Sequence, residues 1–479
     1  MNRKIICIAV GAALAFGMTG LTACGTKEGT SCYTISAEYF PEARQLSAEM
    51  EFEFYNDTDN ALGELKFELW ANAFREGAAY APVSELYAPS AYYNGKSYGG
   101  IEIVSVEGAD GYGIGGEDEN ILGVQLSSKC YPNERAKIKI TYTVTLAEIN
   151  HRLGVGENTI NLSAFYPVLC HYGENGFQEY VYSCNGDPFV ADCADYDVTL
   201  TVPEEYTAVY GGVGEEVAEN GKKSYHVIAE NVRDTAFVLG KSFECVQATV
   251  GGVEVSYYYY GDTSPELALG AATDSLTYFS KTFGGYEYPR YTVVETDFPY
   301  GGMEFAGLSM ISSSLRSSEI PLVVAHETAH QWWYAMVGSN QFECAWQDEG
   351  LAEFSTALFL DEYPAYGGSY RSMVDSCASA YRAYFAIYSQ VSAEADTSMN
   401  RPLTSYKGDY EYRNLAYDKG VVLFDSVRSA TGDRKFFSSL SKYFEKYKGG
   451  FARYEDLVAC FGSGAEKIFE SFTKGLCVI

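Results

Sequence analysis

Long hydrophobic runs, clustered basic residues and closely paired cysteines are all scarce in this sequence. Beyond residue 24, the 479-residue chain has no unbroken apolar run of about 20 residues, which excludes a transmembrane helix there. It has no basic run, and a formal net charge of −30 excludes nucleic acid as a partner. No Cys-x-x-Cys pair occurs, which argues against a thiolate zinc site. Most of the twelve cysteines lie beyond residue 24 with irregular spacing, so buried thiols and disulfides fit them equally well.

The first 24 residues have the pattern of a bacterial lipoprotein signal peptide. Arg3 and Lys4 precede a short apolar run, and the sequence Leu-Thr-Ala-Cys ends at Cys24. The alternative is a short transmembrane anchor, but the apolar run is too short for one. We therefore predict lipidation at Cys24, which would hold the mature chain on the extracytoplasmic face of the cell membrane by a lipid anchor alone.

The hydrophobic pattern divides the rest of the chain into a β-rich half and a mixed half. After a linker at residues 25–31, alternating apolar and polar residues, as at 136–146, predict an antiparallel β-sheet domain over residues 32–250. Strands and helices mix from residue 251 to 479. In this half, helices are expected at residues 319–337, 349–360 and 419–429. The predicted fold class is therefore α+β and multidomain.

The motif His326-Glu327-Thr-Ala-His330 carries the predicted chemistry. Its two histidines are four residues apart, so on a helix both imidazoles face one side and can share one metal ion. A second helical pattern begins at Glu349, with eighteen residues between it and His330, and can fold back to supply a third ligand. Three protein ligands leave one position for water, as in catalytic zinc sites. We predict one Zn²⁺ bound by His326, His330 and Glu349.

Two further glutamates have predicted roles at this site. Glu327, beside the first ligand, is expected to be the general base that takes a proton from a zinc-activated water. Glu353, one turn after Glu349, is a candidate hydrogen-bond acceptor for the outer ring nitrogen of a ligating histidine. An ordinary glutamate on an exposed helix face would have the same spacing. Together these residues predict a hydrolytic zinc site.

These residues resemble the gluzincin aminopeptidases, the family of aminopeptidase N, in which H-E-x-x-H and a glutamate eighteen residues further on bind zinc. The segments that carry the resemblance are residues 326–333 and 346–352, which look like the two zinc helices, Gly301–Glu304, which looks like the G-x-M-E-N motif, and Tyr417–Gly420, which looks like the Tyr-x-Lys-Gly segment. The resemblance implies a saddle-like N-terminal β domain followed by a thermolysin-like catalytic domain.

The family's roles, carried over to this sequence, imply an aminopeptidase. Glu304 would bind the free α-amine of the substrate, and the backbone of Gly301 and Gly302 would line the peptide. Tyr417 would hydrogen-bond the oxyanion of the tetrahedral intermediate. The substrates implied are peptides, from which N-terminal residues would be removed.

Three features depart from the family's pattern. Phe305 stands where the motif has Asn. In the β half, His171 and Glu174 are the nearest candidates for the residues that help to bind the amine. The sequence ends at Ile479 without the family's long helical C-terminal domain, so the cleft is expected to be more open. Two alternatives therefore stay: a zinc endopeptidase with an open cleft, and an inactive peptide-binding surface lipoprotein.

Overall fold

The computed structural model describes residues 6–7, 29–391 and 396–475. The predicted lipidation site, Cys24, lies outside the described residues. Within those ranges, no helix combines the length and the hydropathy that crossing a membrane requires. The chain folds into a β-rich first half and a second half in which helices cover a mixed sheet. This is the α+β, two-part architecture that the sequence predicts.

The first half consists of β-sheets, of which the largest has seven strands. Its strand Arg135–Thr145 alternates buried Ile138, Ile140 and Tyr142 with more exposed residues, because successive side chains of a strand point to opposite faces. Most neighbours are antiparallel, but Cys32–Phe40 and Ala194–Pro203 pair in parallel. The strands of this half are Cys32–Phe40, Gln45–Tyr55, Leu62–Glu68, Gly100–Glu107, Ala109–Gly115, Ile121–Cys130, Arg135–Thr145, Leu153–Val155, Thr159–Ser163, Val168–Leu169, Tyr172–Gly173, Gly176–Phe177, Ala194–Pro203, Thr207–Tyr210, Val213–Glu219, Lys222–Val232 and Ala236–Gly240.

The sheet of the second half places a short strand at its edge. In chain order its main strands are Glu244–Val250, Val253–Tyr259, Arg290–Thr296, Gly302–Phe305 and Leu308–Ser312. The first two strands pair with each other. Residue 250, the expected end of the β domain, is therefore the last residue of one strand and is followed by the turn to the next strand of the same sheet. Gly302–Phe305 pairs only with Leu308–Ser312 and is the edge strand of the described sheet. An edge strand has backbone groups free to pair with an extended peptide.

Helices of the second half hold the predicted metal ligands. The helices are Pro265–Thr282, Ile320–His330, Trp346–Glu362, Tyr370–Val391, Asp409–Tyr412, Lys419–Thr431, Asp433–Tyr447, Tyr454–Phe461 and Ser463–Thr473, with π-helical turns at Gln331–Met336 and Arg413–Asp418. We call Ile320–His330 the motif helix and Trp346–Glu362 the ligand helix. Both are buried over most of their surface, so their positions are fixed by packing on several sides.

The Tyr-x-Lys-Gly segment has a structural role besides its tyrosine. A Cβ atom at Gly420 would lie 2.7 Å from the Cα of Gly350, so only glycine allows this helix to cross the ligand helix so closely. The buried Lys419 Nζ donates hydrogen bonds to the carbonyls of Thr397 and Phe472, each at 2.7 Å. The glycine contact brings the helix that follows Tyr417 close to the ligand helix, and the lysine ties that helix to Thr397 and Phe472.

Eight cysteines of the described residues are free thiols, and Cys130, Cys170 and Cys377 are fully buried. Burial raises the pKa of Cys344 to about 12 and that of Cys245 to about 11. A thiol with so high a pKa has almost no reactive thiolate at neutral pH. For these eight residues, free thiols, three of them buried, rather than disulfides are therefore the correct interpretation.

Candidate metal centre and active site

Three side chains from two helices converge on one point. His326 and His330 come from the motif helix, and Glu349 comes from the first turn of the ligand helix. The two Nε2 atoms are 3.1 Å apart, and each lies 3.3 Å from Oε2 of Glu349. Tetrahedral zinc sites with bonds of about 2.0–2.1 Å place neighbouring ligand atoms about 3.3 Å apart. The three atoms therefore have the spacing of three corners of such a tetrahedron.

The burial of this triangle supports a metal ion at its centre. His330 is 1% exposed and Glu349 is 3% exposed. The Oε2 atom of Glu349 is buried without a conventional hydrogen bond from any described residue. A buried carboxylate oxygen that faces two imidazole nitrogens is costly unless a cation satisfies it. Two imidazoles and one carboxylate are also a donor set that zinc accepts, so the residues fit the predicted ion.

Two groups outside the triangle orient its members. Oε2 of Glu353 lies 2.8 Å from Nδ1 of His326, which leaves Nε2 of that ring facing the centre. The hydroxyl of Tyr412 donates a hydrogen bond of 3.2 Å to Oε1 of Glu349, which leaves Oε2 free. The sequence indicated Glu353 by its spacing, whereas Tyr412, one of 42 tyrosines, carried no signal.

Glu327 lies beside the triangle in a tight recess. Its carboxylate is 4% exposed, and burial raises its pKa to about 8 in the absence of a metal ion. A dication nearby would lower that pKa. A Cβ atom at Gly302 would lie 2.5 Å from Oε1 of Glu327, so a larger residue at that position of the edge strand would displace the Glu327 carboxylate. Glu327 and the edge strand are therefore in direct contact.

Glu304 belongs to a group of buried carboxylates deeper in the site. It is 4% exposed, and one oxygen lies within 4.8 Å of the ligand atoms of His330 and Asp348. Burial raises its pKa well above the ordinary value, and the negative charge of Asp187 adds to the effect. Gln341 donates hydrogen bonds to both Glu304, at 3.4 Å, and Asp348, at 2.5 Å. A cationic amine arriving here would stabilise the ionised form of Glu304.

A cavity of about 610 Å³ leads to these residues between the two halves of the chain. Gly301, Gly302, His326, Glu327 and Tyr417 are among its lining residues. The ring of Tyr417 stacks on that of His326, with 5.8 Å between the ring centroids. Burial raises the pKa of Tyr417 well above its ordinary value, so its hydroxyl keeps its proton and can donate. The cavity therefore exposes a base and a hydrogen-bond donor to one bound molecule.

The β half contributes residues to this cavity that differ from those expected. Neither His171 nor Glu174 lines it: the ring of His171 stacks on Phe451 with 4.1 Å between centroids, and Glu174 pairs with an arginine at the surface. Arg152 and Asp187 line the cavity instead and form a buried ion pair. No sequence motif pointed to this pair.

Comparison with known proteins gives a consistent set of relatives. Residues 267–475 match the model of the peptidase family M1 domain. Aminopeptidase M1-A of Oryza sativa subsp. japonica is 26% identical over 376 residues, which cover 69% of this chain and 42% of that protein. Leucine aminopeptidase 2 of Aspergillus terreus is 25% identical over 288 residues, which cover 56% of this chain and 44% of that protein. The chain thus spans less than half the length of these curated relatives.

Solved structures match over nearly the whole chain. The M1 zinc metallopeptidase from Deinococcus radiodurans has a TM-score of 0.65 at 18% identity, and the match covers 94% of each chain. Another structure of that enzyme, bound to a Tyr-Ser-Ala substrate, has a TM-score of 0.64. At this level of identity the likeness establishes the fold, which is the two-part architecture described above.

Proposed function

We propose that this chain, whose residues 267–475 match the model of the peptidase family M1 domain, is a zinc metallopeptidase that removes N-terminal residues from peptides. The observation that carries the proposal is the buried triangle of His326, His330 and Glu349, whose spacing fits one zinc ion. Zinc bound there supplies a Lewis acid that polarises the scissile carbonyl and lowers the pKa of water to about 7.

Residues of the chain carry out proton transfer, oxyanion stabilisation and substrate binding. Glu327 takes a proton from the attacking water and passes it to the departing amine, which needs a carboxyl group that both accepts and donates. The neutral hydroxyl of Tyr417 donates a hydrogen bond to the carbonyl oxygen as negative charge develops on it. The edge strand beginning at Gly302 pairs with the substrate backbone, and its close approach to Glu327 brings the scissile bond to the base.

Glu304 is the residue that would restrict cleavage to the N-terminal end of a peptide. Burial raises the pKa of Glu304, and the negative charges of neighbouring carboxylates such as Asp187 add to this effect. A free α-ammonium group would pair with these carboxylates, whereas an internal peptide nitrogen carries no charge for them to bind. A peptide bound there therefore presents its first peptide bond to Glu327.

N-terminal acetylation of the substrate tests this assignment. We expect acetylation of a trialanine peptide to lower kcat/KM by about 10- to 100-fold. This is the effect of losing one charge-assisted hydrogen bond between the ammonium group and Glu304. The Glu304→Gln variant should lose most of this discrimination. Equal cleavage of free and acetylated peptides would favour the zinc endopeptidase. Zinc-loaded protein that binds peptides without cleaving any would favour the inactive binding protein.

Replacement of Tyr417 by Phe tests the oxyanion contact. The Tyr417→Phe variant keeps the ring that stacks on His326 and loses only the hydroxyl. We expect kcat to fall by about 100-fold with KM nearly unchanged, because the contact forms in the transition state. Steady-state kinetics measure both, and Tyr410→Phe, which changes an exposed tyrosine nearby, is the matched control. An unchanged kcat in Tyr417→Phe would remove this residue from the mechanism.

Two adjacent glycines allow a sharp test of the edge strand. In Gly302→Ala the new methyl group would lie 2.5 Å from Oε1 of Glu327, whereas in Gly301→Ala it would lie 3.6 Å from the nearest side-chain atom, which belongs to Val323. We expect kcat to fall by about 10- to 100-fold in Gly302→Ala, because the displaced base is misaligned. Gly301→Ala should retain most activity. Similar kinetics for the two variants would contradict the contact, and their melting temperatures control for folding.

A further inference from the structure

Among the described residues, one cationic side chain that lines the cavity forms no ion pair. The charged side chains that line it are Arg152, Asp187, Glu327, Glu353, Asp409 and Arg413. Among the described residues, Arg152 pairs with Asp187, Glu353 contacts His326, and Asp409 accepts a hydrogen bond of 2.8 Å from the Ser84 hydroxyl. With Glu327 acting as the base, Arg413 remains. It is exposed and forms no ion pair within the described part of the chain.

Arg413 lies at the mouth of the cavity, close to the catalytic groups. It begins the π-helical turn Arg413–Asp418 and precedes Tyr417 by four residues, so the two side chains lie on one side, about one turn of 5 Å apart. Tyr417 is half-buried whereas Arg413 is exposed, and both line the cavity. The charge of Arg413 also acts on Tyr87 in the β half, lowering the pKa that burial raises. Burial likewise raises the pKa of Asp418 and Cys377, and the same charge lowers both, so Arg413 lies near groups of both halves.

Glu304 and Arg413 lie at different depths of the site. Glu304 is buried and follows the lining residues Gly302 and Met303 in the edge strand, whereas Arg413 is exposed and lines the cavity itself. A peptide with its α-ammonium at Glu304 must direct its C-terminus outward. Because consecutive Cα atoms are about 3.8 Å apart, the carboxylate of a di- or tripeptide lies about 4–8 Å beyond the first peptide bond. Arg413, four residues before Tyr417 in the same turn, is a lining residue of this part of the cavity.

We propose that Arg413 binds the C-terminal carboxylate of di- and tripeptides, so that short free peptides are the preferred substrates. This inference rests on the proposed function for the direction in which the peptide lies. Guanidinium and carboxylate form two parallel charge-assisted hydrogen bonds, which suits recognition of a terminal carboxylate. A peptide that continues past the third residue lacks a carboxylate at this position and loses the contact.

A binding measurement on the full-length, zinc-loaded Glu327→Gln protein tests the proposal without requiring turnover. Calorimetry with trialanine and with trialanine amide should give about tenfold tighter binding of the free acid, a value reduced by the exposure of Arg413. Adding Arg413→Gln should bring the two affinities together. Adding Arg434→Gln, which removes an equally exposed charge outside the cavity, should preserve the tenfold ratio.

Results that would contradict the role of Arg413 can be told apart from results that would contradict the proposed function. An unchanged ratio in the Arg413→Gln protein overturns the inference. A second peptide pair, glutamyl-dialanine amide and glutaminyl-dialanine amide, identifies the other carboxylate that Arg413 could meet. A different result would be that Arg413→Gln equalises the affinities for the glutamyl and glutaminyl peptides while the trialanine ratio stays unchanged. In that case Arg413 contacts an acidic N-terminal side chain, and the assignment to the C-terminal carboxylate is wrong. Hydrolysis by the wild-type enzyme is assayed separately, so its absence would count against the proposed function only.

Discussion

Replacing Glu327 by Gln is expected to lower kcat by about 10²–10⁴-fold while leaving the metal site occupied. Glutamine has the same shape, so it fits the recess against Gly302 that the carboxylate occupies. Its amide cannot accept a proton from water or return one to the leaving amine. Steady-state hydrolysis of an unblocked peptide measures the effect, and KM should change little because the lost interaction belongs to the transition state.

A control on the same pair of helices separates this effect from a general change in charge. Glu362 is exposed at the end of the ligand helix, and Glu362→Gln should leave kcat unchanged. Peptidase activity that survives in Glu327→Gln at the level of Glu362→Gln would show that another group takes the proton. The proposed mechanism would then be wrong, whatever the metal content of the protein.

Removal of a proposed metal ligand has the second large expected effect. In His330→Ala, a side chain that is 1% exposed is lost, and the buried carboxylate of Glu349 keeps only one imidazole partner. We expect zinc to be lost and hydrolysis to become undetectable, because two remaining ligands do not complete a catalytic zinc site. A chelator added to the wild-type enzyme should have the same effect, and added zinc should restore activity to the wild type alone.

The matched control for this variant is a histidine of the β half. His226 pairs with Asp197 at 2.8 Å, far along the chain from the triangle, and His226→Ala should retain both zinc and activity. Leaving a buried charge without its partner costs about 3–5 kcal/mol, so His330→Ala should also melt at a lower temperature. Full activity in folded His330→Ala protein would contradict the assignment of the ligands.

The features that could be predicted from the sequence are those encoded by local spacing. Two histidines four residues apart on a helix must face one side, and the helix start at Glu349 pointed to the third ligand. The alternation at 136–146 predicted a strand for the same reason. Tyr417 was assigned only through the family resemblance, because its position depends on how two separate helices pack.

The rest of the site depends on contacts between distant parts of the chain. Arg152 and Asp187 come from the β half, and nothing in their neighbourhood in the sequence indicates that they meet in the cavity between the two halves. Tyr412 reaches Glu349 across 63 positions of sequence. The suggestion that His171 contributes to the site failed for the same reason, since its surroundings are set by packing on Phe451. Long-range packing of this kind leaves no periodic pattern to read.

The most direct test of the central claim is the metal content of dialysed wild-type, Glu327→Gln and His330→Ala proteins, determined side by side. The account predicts about one zinc ion per chain in the wild type and in Glu327→Gln, and almost none in His330→Ala. Zinc bound equally by His330→Ala, or a wild-type protein that hydrolyses peptides without zinc, would contradict it.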